Sequence, residues 1–249
     1  MRRFFIDPKN ISGSTAVLTG TEARHISAVL RLAPETTITL FDGSGSYYEA
    51  RIMKISPARV ETRIISITPY IDAAEDKRPA LHLAVGLLKG KKLDFIIQKI
   101  TELGIESLHP FHSQYCAAPP NTSAGKLSRW QKIAREACKQ CNRPKPPDLY
   151  AVTDYKNLLF NSEKDKHDLK IIFWEDEEQN TLRETIALSS KVQSVLVLIG
   201  PEGGFSSGEV AAAIAAGFKP TTLGSRILRA ETAAIAAVAI LQHELGNLA

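Results

Sequence analysis

The sequence predicts an α/β protein: a small β-rich module first, then a larger parallel-sheet domain with helices on both faces. Three observations predict it. Short strand-like runs crowd into the first seventy or so residues. From residue 81 onward, apolar runs alternate with segments of 3.6-residue periodicity, the pattern of a parallel sheet covered on both sides. Between the two lies a polar, non-periodic stretch, 71–79, that ends in proline and reads as a linker. The expected organisation is therefore 1–70, a linker over 71–79, and 80–249.

In chain order, a helical segment is expected over 21–32, where His25, Val29 and Leu32 share one face and Pro34 follows. Strands follow over 37–41, 47–55 and 59–68, and Asp42-Gly43-Ser44-Gly45 between the first two is a hairpin turn signal. In the second part, 81–87 is a nearly continuous apolar strand and 93–103 a helix closed by Gly104. A short strand is expected over 107–111 and a helix over 126–141, stopped before Pro144. Residues 162–168 read as a charged loop between buried-type strands, of which 170–174 and 195–199 are the clearest. Ser206 and Glu209 have capping-box spacing, opening a helix that Gly217 closes. A last strand is expected over 221–223, then an Ala-rich helix over 230–245 on which another element must pack closely.

Composition narrows the function classes. With 44% hydrophobic and 23% charged residues, the chain is an ordinary globular protein long enough to bury a core. Its longest apolar stretch, 233–241, falls well short of the roughly 20 residues that span a bilayer. The start, Met1-Arg2-Arg3-Phe4-Phe5, lacks a signal-peptide apolar region, so a cytoplasmic protein is expected. Three Cys in a long chain do not make a disulfide framework. The net charge of +4 is uneven: +2 over 1–72, +6 over 73–150 and −4 over 151–249. A positive middle third is the footprint of a phosphate-bearing partner, or a solvated helix face.

Several motifs are absent. No Gly-x-Gly-x-x-Gly follows a strand, which removes support for a Rossmann dinucleotide site. Gly86-Leu-Leu-Lys-Gly90-Lys91 imitates a phosphate-binding loop, but its glycines are one residue too close and no Ser or Thr follows the lysine. His109, His112, Cys116, Cys138 and Cys141 suggest zinc, yet the Cys138-x-x-Cys141 pair lies inside a predicted helix and has no second pair. No metal is expected.

The strongest signal is two glycine-bearing loops, 200–204 and 224–230, each leaving the carboxyl end of a strand, where open α/β sheets bind ligands. Pro201 stiffens the first, while Gly203 and Gly204 let a ligand lie against bare backbone. Leu223, Ile227 and Leu228 supply an apolar wall, and Arg226, Arg229 and Glu231 bring charge to it. The second signal is Arg129, Lys132, Arg135 and Lys139, at steps of three, three and four on one helix face, continued by Arg143. Such a stripe suits a nucleic-acid backbone or is simply solvated. Arg2, Arg3, Arg24 and Arg31 extend the basic surface.

These residues resemble a known family. Leu198-Ile-Gly-Pro-Glu-Gly-Gly-Phe-Ser206 and Leu223-Gly-Ser-Arg-Ile-Leu-Arg-Ala-Glu-Thr-Ala233 are similar to the signature of the bacterial 16S ribosomal RNA (uracil-N3)-methyltransferases of the SPOUT superfamily. Weaker matches at Met1 to Phe5, His25 to Leu32, Gln98 to Gly104 and Trp130 to Arg143 spread the likeness over almost the whole chain. The resemblance implies a PUA-like β-barrel at the amino end and a carboxyl-terminal SPOUT domain with a deep trefoil knot. It further implies S-adenosyl-L-methionine as methyl donor, 16S ribosomal RNA or the small ribosomal subunit as partner, a role in ribosome biogenesis, and a homodimer. By motif match the cofactor residues are Ile199, Gly200, Glu202, Gly203, Leu223, Gly224, Ile227 and Leu228. One departure stands out: after Phe111-His112-Ser113 many relatives carry an Arg where this chain has Gln114-Tyr115-Cys116.

The implied chemistry assigns roles. Uracil N3 is not nucleophilic while protonated, so the site needs a base or cations that stabilise the uracil anion. Arg229 and Arg226 are the candidates for anion stabilisation, and Glu202 is a candidate proton acceptor, cofactor ligand or loop brace. The RNA-contacting set is Arg2, Arg3, Arg24, Arg31, Arg129, Lys132, Arg135, Lys139 and Arg143. Two alternatives remain at this stage: another SPOUT activity, such as ribose or base methylation of transfer RNA, and a non-catalytic RNA-binding assembly factor.

Overall fold

The computed structural model of the protein describes residues 2–69, 78–118, 124–187 and 192–248. The chain divides into two compact units, Met1–Asp72 with Cys138–Pro146, and Ala73–Ala137 with Pro147–Ala249. The linker expected over 71–79 lies almost wholly outside the described residues.

The first unit holds β1 (Arg3–Phe5), β2 (Ile11–Ser12), β3 (Thr15–Thr19), α1 (Gly20–Arg24), β4 (Thr37–Phe41), β5 (Ser46–Ile55) and β6 (Arg59–Pro69). They form one mixed sheet in the order β1-β4-β5-β6-β3-β2, with β1 parallel to β4 and the other pairs antiparallel. The three expected strands are present, and the helix expected before them, over 21–32, is α1 continued by one π turn, His25–Val29. The sequence reading singles out neither β1, of three residues, nor β3, of five. Burial reveals them: Phe4, Ala16 and Leu18 are almost fully enclosed, in one core with Ile26, Leu40 and Ile52. The end of the 124–141 helix joins this unit through local contacts. Lys139 ion-pairs with Glu22, and the Tyr47 hydroxyl donates to the Asn142 carbonyl at 2.8 Å.

The second unit contains β7 (Ala80–Gly86), α2 (Lys92–Glu102), β8 (Ser107–His112), α3 (Ala124–Cys141) up to Ala137, β9 (Asp148–Leu149), β10 (Thr153–Asp154) and α4 (Tyr155–Lys164). It continues with β11 (Leu169–Phe173), α5 (Leu182–Ala187), β12 (Ser194–Ile199), α6 (Ser207–Ala215), β13 (Lys219–Thr221) and α7 (Ala230–Glu244). The strands run in the order β10-β8-β7-β12-β11-β13, all parallel, with β9 beside β8. One core packs α2 and α7 on the sheet, and a second packs α4 and α6 on the other face. On α2, Leu93, Ile96, Ile97 and Ile100 are buried at helical spacing. The Ala-rich α7 buries Ala230, Ala234 and Ala237, and the chain thereby returns from the β13 edge to rest on α2, β7 and β12.

Two expectations are corrected. Residues 162–164 are not loop but the last turn of α4, which the polar run disguises. Ser162 is buried and its hydroxyl donates to the Leu159 carbonyl at 2.7 Å, while Asp154 caps the start by accepting the Asn157 amide. The strand expected over 221–223 is instead Lys219–Thr221. It is an edge strand, so Pro220, which cannot donate to a ladder, is tolerated there. Thr222 and Leu223 are thereby freed to line the site below.

Towards the amino ends of β7, β8 and β11, three histidines cluster. Ser107 Oγ lies 2.7 Å from both His82 Nδ1 and His109 Nε2, and His167 Nδ1 lies 2.8 Å from Ser194 Oγ. Burial, then repulsion from the neighbouring rings, pushes His109 and His167 down to about 4. Each binds its proton less readily folded than unfolded, so the stability present above pH 6.5 is lost as pH falls towards 4. After allowance for the partly exposed rings, the loss from pH 7 to pH 4.5 is about 2 kcal/mol. In urea unfolding, His109→Gln should lose less over that interval than wild type; an equal loss would remove His109 as a source.

Candidate functional site

The carboxyl ends of β11, β12 and β13 release three loops from one side of the sheet, and these enclose a cavity of about 780 Å³, a volume suited to a small molecule. Each loop has a local reason for its shape.

The first loop follows Ile199. The Gly204 amide closes a turn on the Pro201 carbonyl at 3.0 Å, and Gly204 takes φ +70°, which favours glycine. Ser206 and Glu209 form the expected capping box, and Glu209 Oε1 also accepts the Gln114 amide at 2.8 Å. The turn carrying Tyr115 is thus tied to α6. Gly203 faces that turn: a Cβ on it would come within 2.7 Å of Tyr115 Cβ. Gly86 at the end of β7 lies directly behind Pro201, whose nitrogen would be 2.5 Å from an added Cβ.

The second loop runs from Thr222 to the start of α7. The Gly224 amide donates to Thr222 Oγ1 at 3.1 Å, and Gly224 turns at φ +105° with open space where a Cβ would project. Ile227 is 89% exposed, an unusual state for isoleucine that leaves an apolar surface at the cavity rim. Arg226 and Arg229 are exposed and, among the described residues, neither side chain makes a hydrogen bond or ion pair. Arg229 is the N-cap of α7 but its side chain bonds nothing there.

The third wall is acidic. Trp174, Glu175, Glu177 and Glu178 follow β11, and the Glu177 carboxylate accepts the Gln179 and Asn180 amides at 2.8 and 2.9 Å. Across the cavity, Glu202 Oε1 accepts from Lys92 Nζ at 3.0 Å and from the Lys89 amide at 3.2 Å. Burial alone would raise the Glu202 carboxyl, but these hydrogen bonds outweigh it and hold it below the usual range. A carboxylate held low is a poor proton acceptor.

Of the sequence-predicted cofactor and catalytic residues, Ile199, Gly200, Glu202, Leu223, Gly224, Arg226, Ile227, Leu228 and Arg229 all line this cavity. Gly203 does not; it serves the contact with Tyr115. Lys92 and the acidic wall escaped sequence reading, although 174–178 follows a strand as the other loops do. Among the predicted RNA-contacting residues, Arg2, Arg24, Arg31 and Lys132 are exposed. Arg3 instead lies over the Tyr47 ring at 5.1 Å, Arg129 ion-pairs with Asp94, and Lys139 is enclosed against Glu22. Arg135 and Arg143 are half-buried, so the stripe shares a face without being free along it. Burial pushes the Cys138 thiol up to about 12, and among the described residues no group of three or more His, Cys, Asp or Glu is arranged to hold a metal. No described helix is long and apolar enough to cross a membrane.

Comparison with known proteins bears on this cavity. Residues 75–242 match the family model of an RNA methyltransferase domain, and 18–65 that of an RNA methyltransferase PUA domain. The chain is 32% identical over 231 residues to the ribosomal RNA small subunit methyltransferase E of Buchnera aphidicola, covering 91% of this chain and 87% of that one. The same enzyme from Neisseria gonorrhoeae, solved bound to S-adenosyl methionine, superposes with a TM-score of 0.83 at 33% identity over 98% of both chains. A Legionella pneumophila chain solved with the bound cofactor SAM gives 0.86 at 30% identity over 97% of both.

Proposed function

Since the chain belongs to the RNA methyltransferase family, a PUA domain preceding its methyltransferase domain, we propose that it transfers a methyl group from S-adenosyl-L-methionine to N3 of a uridine in 16S ribosomal RNA. The observation that carries this is the cavity between the two glycine-bearing loops. Its residues fit the donor: Ile199, Leu223, Ile227 and Leu228 offer an apolar surface for a flat heterocycle, and Gly224 presents bare backbone. When bound, the donor supplies an electrophilic methyl group on sulfur.

The chain's own residues then do the rest. Arg226 and Arg229, unpaired at the rim, stabilise the negative charge on the uracil carbonyl oxygens as N3 loses its proton. With Glu202 engaged by Lys92 and held below the usual carboxylate range, that proton leaves to solvent water. Glu202 is committed to Lys92 and braces the loop. The target uridine is presented unstacked, since a stacked or paired base hides N3. Arg2, Arg24, Arg31 and Lys132 contact the RNA backbone, and a ribosomal RNA substrate supports a cytoplasmic location and a role in ribosome biogenesis. We take 1–70 as the RNA-binding module and 80–249 as the catalytic domain; the return of α7 across the sheet supports a knotted path. The outer face of α7, with Thr232, Ile235, Ala236, Ala239 and Ile240, supports a homodimer.

Nucleoside mass spectrometry of ribosomal RNA from cells lacking the protein should show loss of 3-methyluridine. Loss of a different methylated nucleoside, or of none, would overturn the assignment.

A further inference from the structure

Lys92 opens α2, and its side chain reaches between the two glycine-bearing loops. Nζ lies 3.0 Å from Glu202 Oε1 on the first loop and 3.7 Å from Glu231 Oε2 in the first turn of α7. Glu202 Oε1 also accepts the amide of Lys89, in the turn that leads into α2, so this segment grips the first loop twice. Among the described residues, no hydrogen bond reaches the buried Glu231 Oε2. One ammonium therefore stands between two carboxylates from distant parts of the chain, and without it they would repel.

We propose that Lys92 is the positioning residue of the donor site: by bridging Glu202 and Glu231 it sets the gap between loop 200–204 and loop 224–229. Both sides of the cavity depend on that gap. Glu202 lies on one wall, and Glu231 follows Arg229 by two residues, so a tilt of the first turn of α7 carries Arg229 with it. Methyl transfer tolerates little misalignment, which makes the spacing a condition of the chemistry as well as of binding.

This inference rests on the donor-site reading above, and its test separates the two. Titration calorimetry with S-adenosyl-L-methionine should show Lys92→Met binding about tenfold or more weakly and Lys92→Arg within about threefold of wild type. Lys92→Met combined with Glu231→Gln should regain most of the lost affinity, since the repelling pair is gone. Simple loss of the lysine stem would give no such rescue. Unchanged binding by Lys92→Met, or losses that add in the double variant, would overturn the bridge. Should wild type bind no donor, the donor-site reading falls; the bridge is then judged from ligand-free melting temperatures of Lys92→Met, Glu202→Gln and their combination. Non-additive shifts support it, and additive ones refute it.

Discussion

Arg229→Ala is expected to slow methyl transfer by about 100- to 1,000-fold while changing S-adenosyl-L-methionine affinity by less than about threefold. The asymmetry follows from where Arg229 sits. It lines the cavity but is exposed, and neither a hydrogen bond nor an ion pair among the described residues ties its side chain to the fold. Truncation therefore leaves the loop and α7 intact, and Arg229 contributes no side-chain cap whose loss would loosen the helix. What disappears is a positive charge beside the position where the uracil anion develops, reinforced by the amino end of α7. Arg229→Lys keeps the charge but not the planar fork and should fall between the two. Single-turnover rates set against calorimetric affinities make the comparison. Equal losses in rate and affinity would place Arg229 in donor binding instead.

Gly86→Ala is expected to cost about 3 kcal/mol of stability and to weaken donor binding by at least about tenfold. An added Cβ would lie 2.5 Å from the Pro201 nitrogen and 2.7 Å from Pro201 Cδ. The obstacle is backbone and a rigid ring, so nothing flexible can swing aside, and the 200–204 loop must move off β7. Gly208→Ala is the control: it lies in the first turn of α6 with open space around it and should leave binding unchanged. Thermal melting and calorimetry measure both variants. If Gly86→Ala melts and binds like wild type, the close crossing of β7 by the first loop is not a constraint on the site.

Gly86 also shows where sequence reading stops. In the sequence it belongs to a failed imitation of a phosphate-binding loop, and the glycine looks incidental. In the structure it is required because β12 pairs directly beside β7, bringing Pro201 onto the end of that strand. The basic helix face shows the converse. Its spacing is legible, yet Lys139 and Arg129 each meet a carboxylate that no local pattern announces.

What the sequence determined by itself was the part that depends on near neighbours. Period two and period 3.6 marked most strands and helices, the Ser206–Glu209 spacing marked the start of α6, and glycine after an apolar run marked the two loops that line the cavity. What only the tertiary structure decided was which of these pieces meet. Strand order brought the acidic stretch after Phe173 to the third wall of the cavity and set Lys92 between Glu202 and Glu231. Those partners lie far apart along the chain, and their contact is created by the packing of α2 and α7 on one sheet, a long-range outcome that no local spacing encodes.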